Sequence, residues 1–392
     1  MPNKPEEGGE KPPPPPPPQQ QPQPHPQHIE IASGEPGATP DDQPSPGLRN
    51  SKGWDGKLRV SKNALVSNPE ALSDPEYSDD ENVNPGEVIP ADEDLLDGEP
   101  SDTEELNITH SRVRSIPSLR LERFKKVAGL CLRQNAIQDI EGLAGLAGSL
   151  QELDLYDNLI TGIQGLDELA SLTVLDLSFN KIKRIEKVNH LKQLTDLFFV
   201  SNKIREIENL EGLDKLRMLE LGSNRIRELK NLDSLKALEE LYVAKNKITE
   251  LRGLAGLPRL RLLSIQSNRI RDLSPLRDVP QLEELYVTHN ALESLEGLEH
   301  NTRLQVLDIS NNQIASLKGL GPLKELTDVW ASYNQVADFA ELDRELRDKE
   351  KLTTVYFEGN PLQLRGPALY RNKVRLALPQ LTQIDATHTR VT

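Results

Sequence analysis

Five carboxylates, Glu152, Asp196, Glu240, Glu284 and Asp328, and four aromatic residues, Phe198, Tyr242, Tyr286 and Trp330, recur at intervals of 44 residues. Each ring follows a carboxylate by two positions, and residues two apart share one side of an extended strand. Every such pair sets an anion beside a π surface, a combination suited to anchoring basic and apolar groups of a protein partner. Duplication of a two-repeat unit accounts for the regularity but not for the retention of exposed rings. Nothing comparable points to catalysis. There is no P-loop, no GxGxxG after a strand and no HExxH. His190, His289 and His300 are isolated and lack metal-ligand spacing. Cys131 is the only cysteine, which excludes an internal disulfide or a cysteine zinc cluster and fits a reducing compartment. Neither cofactor nor metal nor enzymatic activity is expected.

The elements that must position these side chains follow from a second period. Asparagines stand at Asn135, Asn158, Asn180, Asn202, Asn224, Asn246, Asn268, Asn290, Asn312, Asn334 and Asn360, mostly 22 residues apart. Each closes an LxxLxLxxN pattern, as Leu216, Leu219, Leu221 and Asn224 do in "LRMLELGSNRI". This is the signature of a leucine-rich repeat. The alternating LxL pair predicts a short strand with both leucines inward. Apolar residues then follow at intervals of three, as at Ile204, Ile207, Leu210 and Leu213, and predict a tight, partly 3₁₀ return on the convex side. One turn cannot bury its own leucines, so the turns must stack into a parallel-stranded solenoid of the α/β class. An amide that both donates and accepts suits the asparagines to a structural ladder between turns.

Two columns of outward residues line the concave face. Four before each asparagine stand Cys131, Asp154, Asp176, Phe198, Glu220, Tyr242, Ser264, Tyr286, Asp308, Trp330 and Tyr356; six before run the 44-residue carboxylates and their neighbours. Together the columns hold nine carboxylates, five aromatics and no lysine or arginine. Bases collect elsewhere: Lys181, Lys183, Lys203, Arg205, Arg225, Arg227, Lys247, Arg269 and Arg271 line one rim. They read as a solvated edge balancing nearby acids. Nucleic acid is not an expected partner, since the acidic floor would repel it.

The net charge of −15 belongs to the N-terminal region. Residues 1–105 carry 21 of the 29 prolines and 23 acids against 7 bases, whereas residues 106–392 are nearly neutral. This composition predicts a disordered, proline-rich, acidic tail over 1–105, a solenoid over 106–362 opening on a degenerate first turn, and a C-terminal cap over 363–392. In the tail, Ser78, Ser101 and Thr103 precede acids as acid-directed kinase sites do, Pro12–Pro18 favours polyproline II, and "KGWDGKLRV" places Trp54 in a basic patch. No apolar run is long enough to span a membrane, and no signal peptide is evident, so a soluble, non-secreted protein without membrane partners is expected.

Segments such as "LCLRQN", "LDLYDN", "LELGSNRI" and "LEGLEHNTRLQVLDIS", with the ending "VYFEGNPLQ…YRNKV…LALPQLTQIDAT", closely resemble the leucine-rich-repeat regulatory subunits of protein phosphatase 1 over about residues 106–392. The resemblance implies a non-catalytic subunit whose concave face binds the phosphatase catalytic subunit without the usual short docking motif. It also implies the contacts, carried onto Asp176, Phe198, Glu220, Tyr242, Asp308, Asp328, Trp330 and Tyr356. Tyr242 and Asp328 stand where the family has Phe and Glu, which keeps ring and charge. Control of activity, maturation or localisation, residence in nucleus and cytoplasm, and a possible third regulatory protein are further expectations. The alternatives are a spliceosomal ribonucleoprotein scaffold of the A-prime type, usually much shorter, and a general cytoskeletal or cilium-associated adaptor.

Overall fold

A computed structural model describes residues 95–389, which lie within one compact unit, Pro85–Thr392. Its repeating element is a three-residue strand: β1 Glu105–Asn107, β2 Gly129–Cys131, β3 Glu152–Asp154, β4 Val174–Asp176, β5 Asp196–Phe198, β6 Met218–Glu220 and β7 Glu240–Tyr242. The series continues with β8 Leu262–Ser264, β9 Glu284–Tyr286, β10 Val306–Asp308, β11 Asp328–Trp330, β12 Thr354–Tyr356, β13 Gln383–Ile384 and β14 Thr387–His388. Each strand pairs with the next in chain order, and all pairings are parallel except the last, β13 with β14. The register carries each outward residue onto its equivalent one turn later, Asp154 onto Asp176, Asp176 onto Phe198 and Phe198 onto Glu220.

In the three-residue strands β1 to β12 the middle residue is buried, and so is the residue two beyond, as at Leu219 and Leu221, whereas β13 and β14 are two residues long. The inward residues of the return, among them Ile226, Leu229, Leu232, Leu235 and Leu238, join the same continuous core. Each fully buried leucine contributes roughly 2–3 kcal/mol relative to exposure. The returns are mostly turns, with short 3₁₀ segments at Ala144–Leu146, Ser274–Asp278 and Leu298–His300. The charged insertion in the last full repeat winds instead into helix α1, Phe339–Leu346, whose N-terminus is capped by the Asp338 carboxylate accepting from the Ala340 N–H.

The chain leaves each strand through one left-handed residue just ahead of the asparagine, for example Ser223 at φ 55°. That turn points the amide inward. Asn224 Nδ2 donates to the Phe199 and Leu221 carbonyls at 2.8 and 3.1 Å, and its Oδ1 accepts the Ile204 N–H at 3.0 Å. One side chain thereby satisfies the N–H of the preceding turn and shares the two carbonyls with Asn202 and Asn246, which donate to them at 3.2 and 2.9 Å, so the amides link successive turns through the dry interior. The same pattern runs from Asn135 to Asn360.

Both ends are closed. At the start, Asn135 Oδ1 accepts the N–H groups of Ser111 and Val113, so Ser111 occupies an asparagine position without contributing the amide. At the far end, helix α2, Pro361–Leu364, leads to α3, Pro367–Ala377, which buries Tyr370, Val374 and Ala377. Asp385 takes over the acceptor half of the ladder: its Oδ1 receives the Phe357 and Glu358 N–H groups at 2.9 and 3.1 Å and the Tyr370 hydroxyl at 3.1 Å. The boundaries drawn from sequence shift slightly. Glu105 already opens β1, Leu96 is 6% exposed within the core and its carbonyl accepts from Arg123, and α2 straddles the 362/363 boundary. Ser101 lies exposed in a turn and Thr103 is half-buried. Ser78, Trp54, Pro12–Pro18 and the tail through residue 94 fall outside the described residues. Among the described residues no helix is long and apolar enough to cross a membrane.

Candidate partner-binding face

The two outward columns lie on adjacent strands in succession, but their side chains are half-buried, apart from Glu152, which is exposed, and Ser264, which is fully buried. Neighbouring side chains one strand spacing away, about 4.8 Å, cover one another. Several polar atoms are consequently engaged along the sheet. The Tyr242 and Tyr286 hydroxyls donate to Glu240 and Glu284 at 2.9 and 2.7 Å, so each acid and ring two residues apart are tied together. Burial, with the neighbouring carboxylates, pushes both phenols well above the usual range. Asp196 and Asp328 accept from the hydroxyls of Thr195 and Thr327 at 2.6 and 2.7 Å.

Toward the C-terminal end the rings meet. Trp330 lies 6.3 Å from Tyr286 and 6.2 Å from Tyr356 between ring centroids, the latter edge to face. Such contacts add about 0.5–1.5 kcal/mol each beyond area burial. The Tyr356 hydroxyl accepts from Gln383 Nε2 at 2.7 Å, so the cap fixes the last ring. The indole N–H of Trp330 is covered and has no acceptor among the described residues. An unpaired buried donor of this kind costs about 1–3 kcal/mol.

Toward the N-terminal end carboxylates dominate. Burial raises Glu220 to about 7; the Gly222 N–H, donated to its Oε1 at 2.9 Å, works against that rise, and the charge of Asp176 adds to it. A Cβ on Gly222 would lie 2.7 Å from this oxygen, so glycine there lets the carboxylate fold back onto the backbone. Burial also raises Asp176, more than its hydrogen bonds from Ser178 and the nearby Arg133 lower it. The columns contain no base, yet one base reaches them: Arg133, two positions after Cys131, pairs with Asp154 through Nε and lies 3.4 Å from Asp176 through Nη2. Its guanidinium also stacks 4.9 Å from the Tyr156 ring centre, and Tyr156 in turn contacts Phe179 at 4.8 Å.

The face thus brings together Asp176, Phe198, Glu220, Tyr242, Asp308, Trp330 and Tyr356 along one column, with Asp328 beside Trp330 on β11. Sequence reasoning missed Arg133, Tyr156 and Phe179, at repeat positions where the residue type does not recur, and Gln383, which lies beyond the repeats. Along the rim, acids answer bases, as in Arg184 with Glu208 at 3.0 Å and Lys230 with Glu206 at 2.7 Å. No group of three or more His, Cys, Asp or Glu able to hold a metal occurs among the described residues.

A stacked parallel sheet with an amide ladder, a turn-by-turn leucine core and capped ends defines a leucine-rich-repeat solenoid, and the chain is a leucine-rich-repeat protein. The family pattern for leucine-rich repeats in two-copy units matches residues 148–190, 170–212, 214–256, 258–300 and 302–344. Over 84 residues, 21% of this chain, the sequence is 55% identical to protein phosphatase 1 regulatory subunit SDS22 of Schizosaccharomyces pombe, covering 24% of that protein. Over 52 residues, 13% of the chain, it is 54% identical to protein phosphatase 1 regulatory subunit 7 of Mus musculus, covering 14% of it. The chain thus matches a quarter or less of the length of these relatives. They bear out the resemblance to the leucine-rich-repeat regulatory subunits of protein phosphatase 1. An internalin of Listeria monocytogenes shares the fold, with a TM-score of 0.63 at 22% identity over 79% of this chain and 87% of that one.

Proposed function

We propose that the chain is a non-catalytic regulatory subunit that binds the protein phosphatase 1 catalytic subunit through the acidic and aromatic concave face. The observation that carries this reading is the composition of the floor, nine carboxylates and five rings in two columns without a base. The names of the relatives support the choice of phosphatase. Trp330, Tyr356, Phe198 and Tyr242 act as anchors, since truncating a half-buried ring at an interface centre costs about 2 kcal/mol or more. Asp176, Glu220, Asp308 and Asp328 meet basic groups of the enzyme and set orientation and on-rate. Occupancy of this kind controls activity, maturation or localisation, in nucleus and cytoplasm, with room for a third regulatory protein and no role for nucleic acid.

The test is affinity purification of the full chain, followed by identification of the stoichiometric partner. Recovery of the phosphatase catalytic subunit is expected. Recovery of splicing or cytoskeletal proteins in its place contradicts the reading.

A further inference from the structure

The N-terminal end of the floor holds a guanidinium already seated in a site with the chemistry to recognise one. Asp154 and Asp176 stand in register on β3 and β4. The Tyr156 ring lies alongside them, and Arg133 stacks on it with Cζ 4.9 Å from the ring centre. Its Nε is paired with Asp154, and its Nη2 lies 3.4 Å from Asp176. Two carboxylates and an aromatic face together select a planar, delocalised cation over a compact ammonium. Phe179 extends the shelf, 4.8 Å from Tyr156 and 43% exposed, at φ 54°. That conformation is unfavourable for a bulky side chain.

The occupant is loosely held. The Arg133 side chain is 45% exposed, against 25% for Asp154 and 15% for Asp176. Exposed ion pairs contribute little, because water and side-chain freedom compete with them. A long side chain on the segment leaving β2 can therefore swing into solvent while the more buried carboxylates and the ring stay in place. While Arg133 remains, two of the floor's carboxylates are spoken for.

We infer that Asp154, Asp176 and Tyr156 form an arginine-recognition site, occupied in the free chain by Arg133 and taken over on complex formation by an arginine of the partner. The inference rests on the reading of the floor as a docking face. Arg133 is then an internal competitor, holding the site in a bound-like arrangement and weakening whatever displaces it, while the preference for arginine over lysine comes from the two carboxylates and the ring.

Two measurements on the full chain test this. In the first, argininamide is titrated into wild type and Arg133→Ala while the Tyr156 ring resonances are followed by NMR. Arg133→Ala should show a saturable shift that wild type lacks at the same concentrations, about fivefold tighter for argininamide than for lysinamide, and lost when Asp176→Asn is added. No saturable shift in Arg133→Ala, or equal response to both amides, overturns the site. In the second, affinity for the phosphatase catalytic subunit should rise about three- to tenfold in Arg133→Ala, with Arg133→Lys intermediate. Unchanged or weaker binding overturns the takeover, because a displaced resident must oppose its replacement. If wild type itself fails to bind the phosphatase, the docking reading fails, and the argininamide titration alone decides the site.

Discussion

The two ends of the floor share strand length, register and ladder, yet they are finished differently. From β3 to β6 the outward column is mostly carboxylate, with Arg133 laid across Asp154 and Asp176 and with Glu220 pressed into its protonation range. From β9 to β12 it is mostly aromatic, with Tyr286, Trp330 and Tyr356 packed ring on ring around Asp308. A repeating scaffold fixes spacing and leaves the outward residues free, so one surface can divide its work. Carboxylates govern charge complementarity, rate and pH response, while rings govern how long a partner stays.

The largest effect is expected in the scaffold that both ends share. Asn224→Ala strands the buried Ile204 N–H and takes one of two amide donors from each of the Phe199 and Leu221 carbonyls. It should lower unfolding stability by about 3 kcal/mol in denaturant titration. If phosphatase affinity is measured where the variant remains folded, both ends should suffer alike. A selective loss at one end would break the idea of a common frame.

Trp330→Ala comes next, with affinity falling about thirtyfold, mainly through faster dissociation, and stability changing little. Asp176→Asn should lower affinity about tenfold through slower association, and the difference should shrink as salt rises from 0.05 to about 0.5 M. If the two variants exchanged kinetic signatures, the division between the ends would be wrong.

The smallest effect is proton-linked. Folding raises the Glu220 carboxyl from 4.5 to about 7, so its contribution to stability is complete below 4.5 and is lost as pH rises through 7. Glu220→Gln should therefore stabilise the chain at pH 8 by about 1 kcal/mol, after allowance for its partial exposure, and scarcely at all at pH 4. Binding to a basic partner runs the other way. Wild-type affinity should fall as pH drops from about 8 to about 6 and ionised Glu220 is lost, and the Gln variant should lack that slope.

Sequence reading reached whatever repeats. The leucine spacing, the amide ladder and the outward columns each occur about ten times, so a period reveals them even though any one instance is unremarkable. It missed contacts made once. Arg133 heads a column that continues Tyr156, Ser178, Val200 and Gly222, with no regularity to mark its reach across the floor. Asp385 ends the ladder with a carboxylate from outside the repeat, and Leu96 joins the core from a segment whose composition reads as tail. The exposure of the floor was also overread. Alternation along a strand says which side a residue faces, but the coverage it receives from neighbours one strand away depends on packing across the sheet, and that coverage is what lifts Glu220.

The central claim is that the floor clasps the phosphatase with its two ends together, and the full chain carrying both Trp330→Ala and Glu220→Ala tests it most directly. The sites are five strands apart and should act additively. Titration calorimetry with the catalytic subunit at pH 8 should show affinity reduced by about a hundredfold or more, with the unfolding transition retained. Binding at wild-type strength by this folded variant would contradict the account.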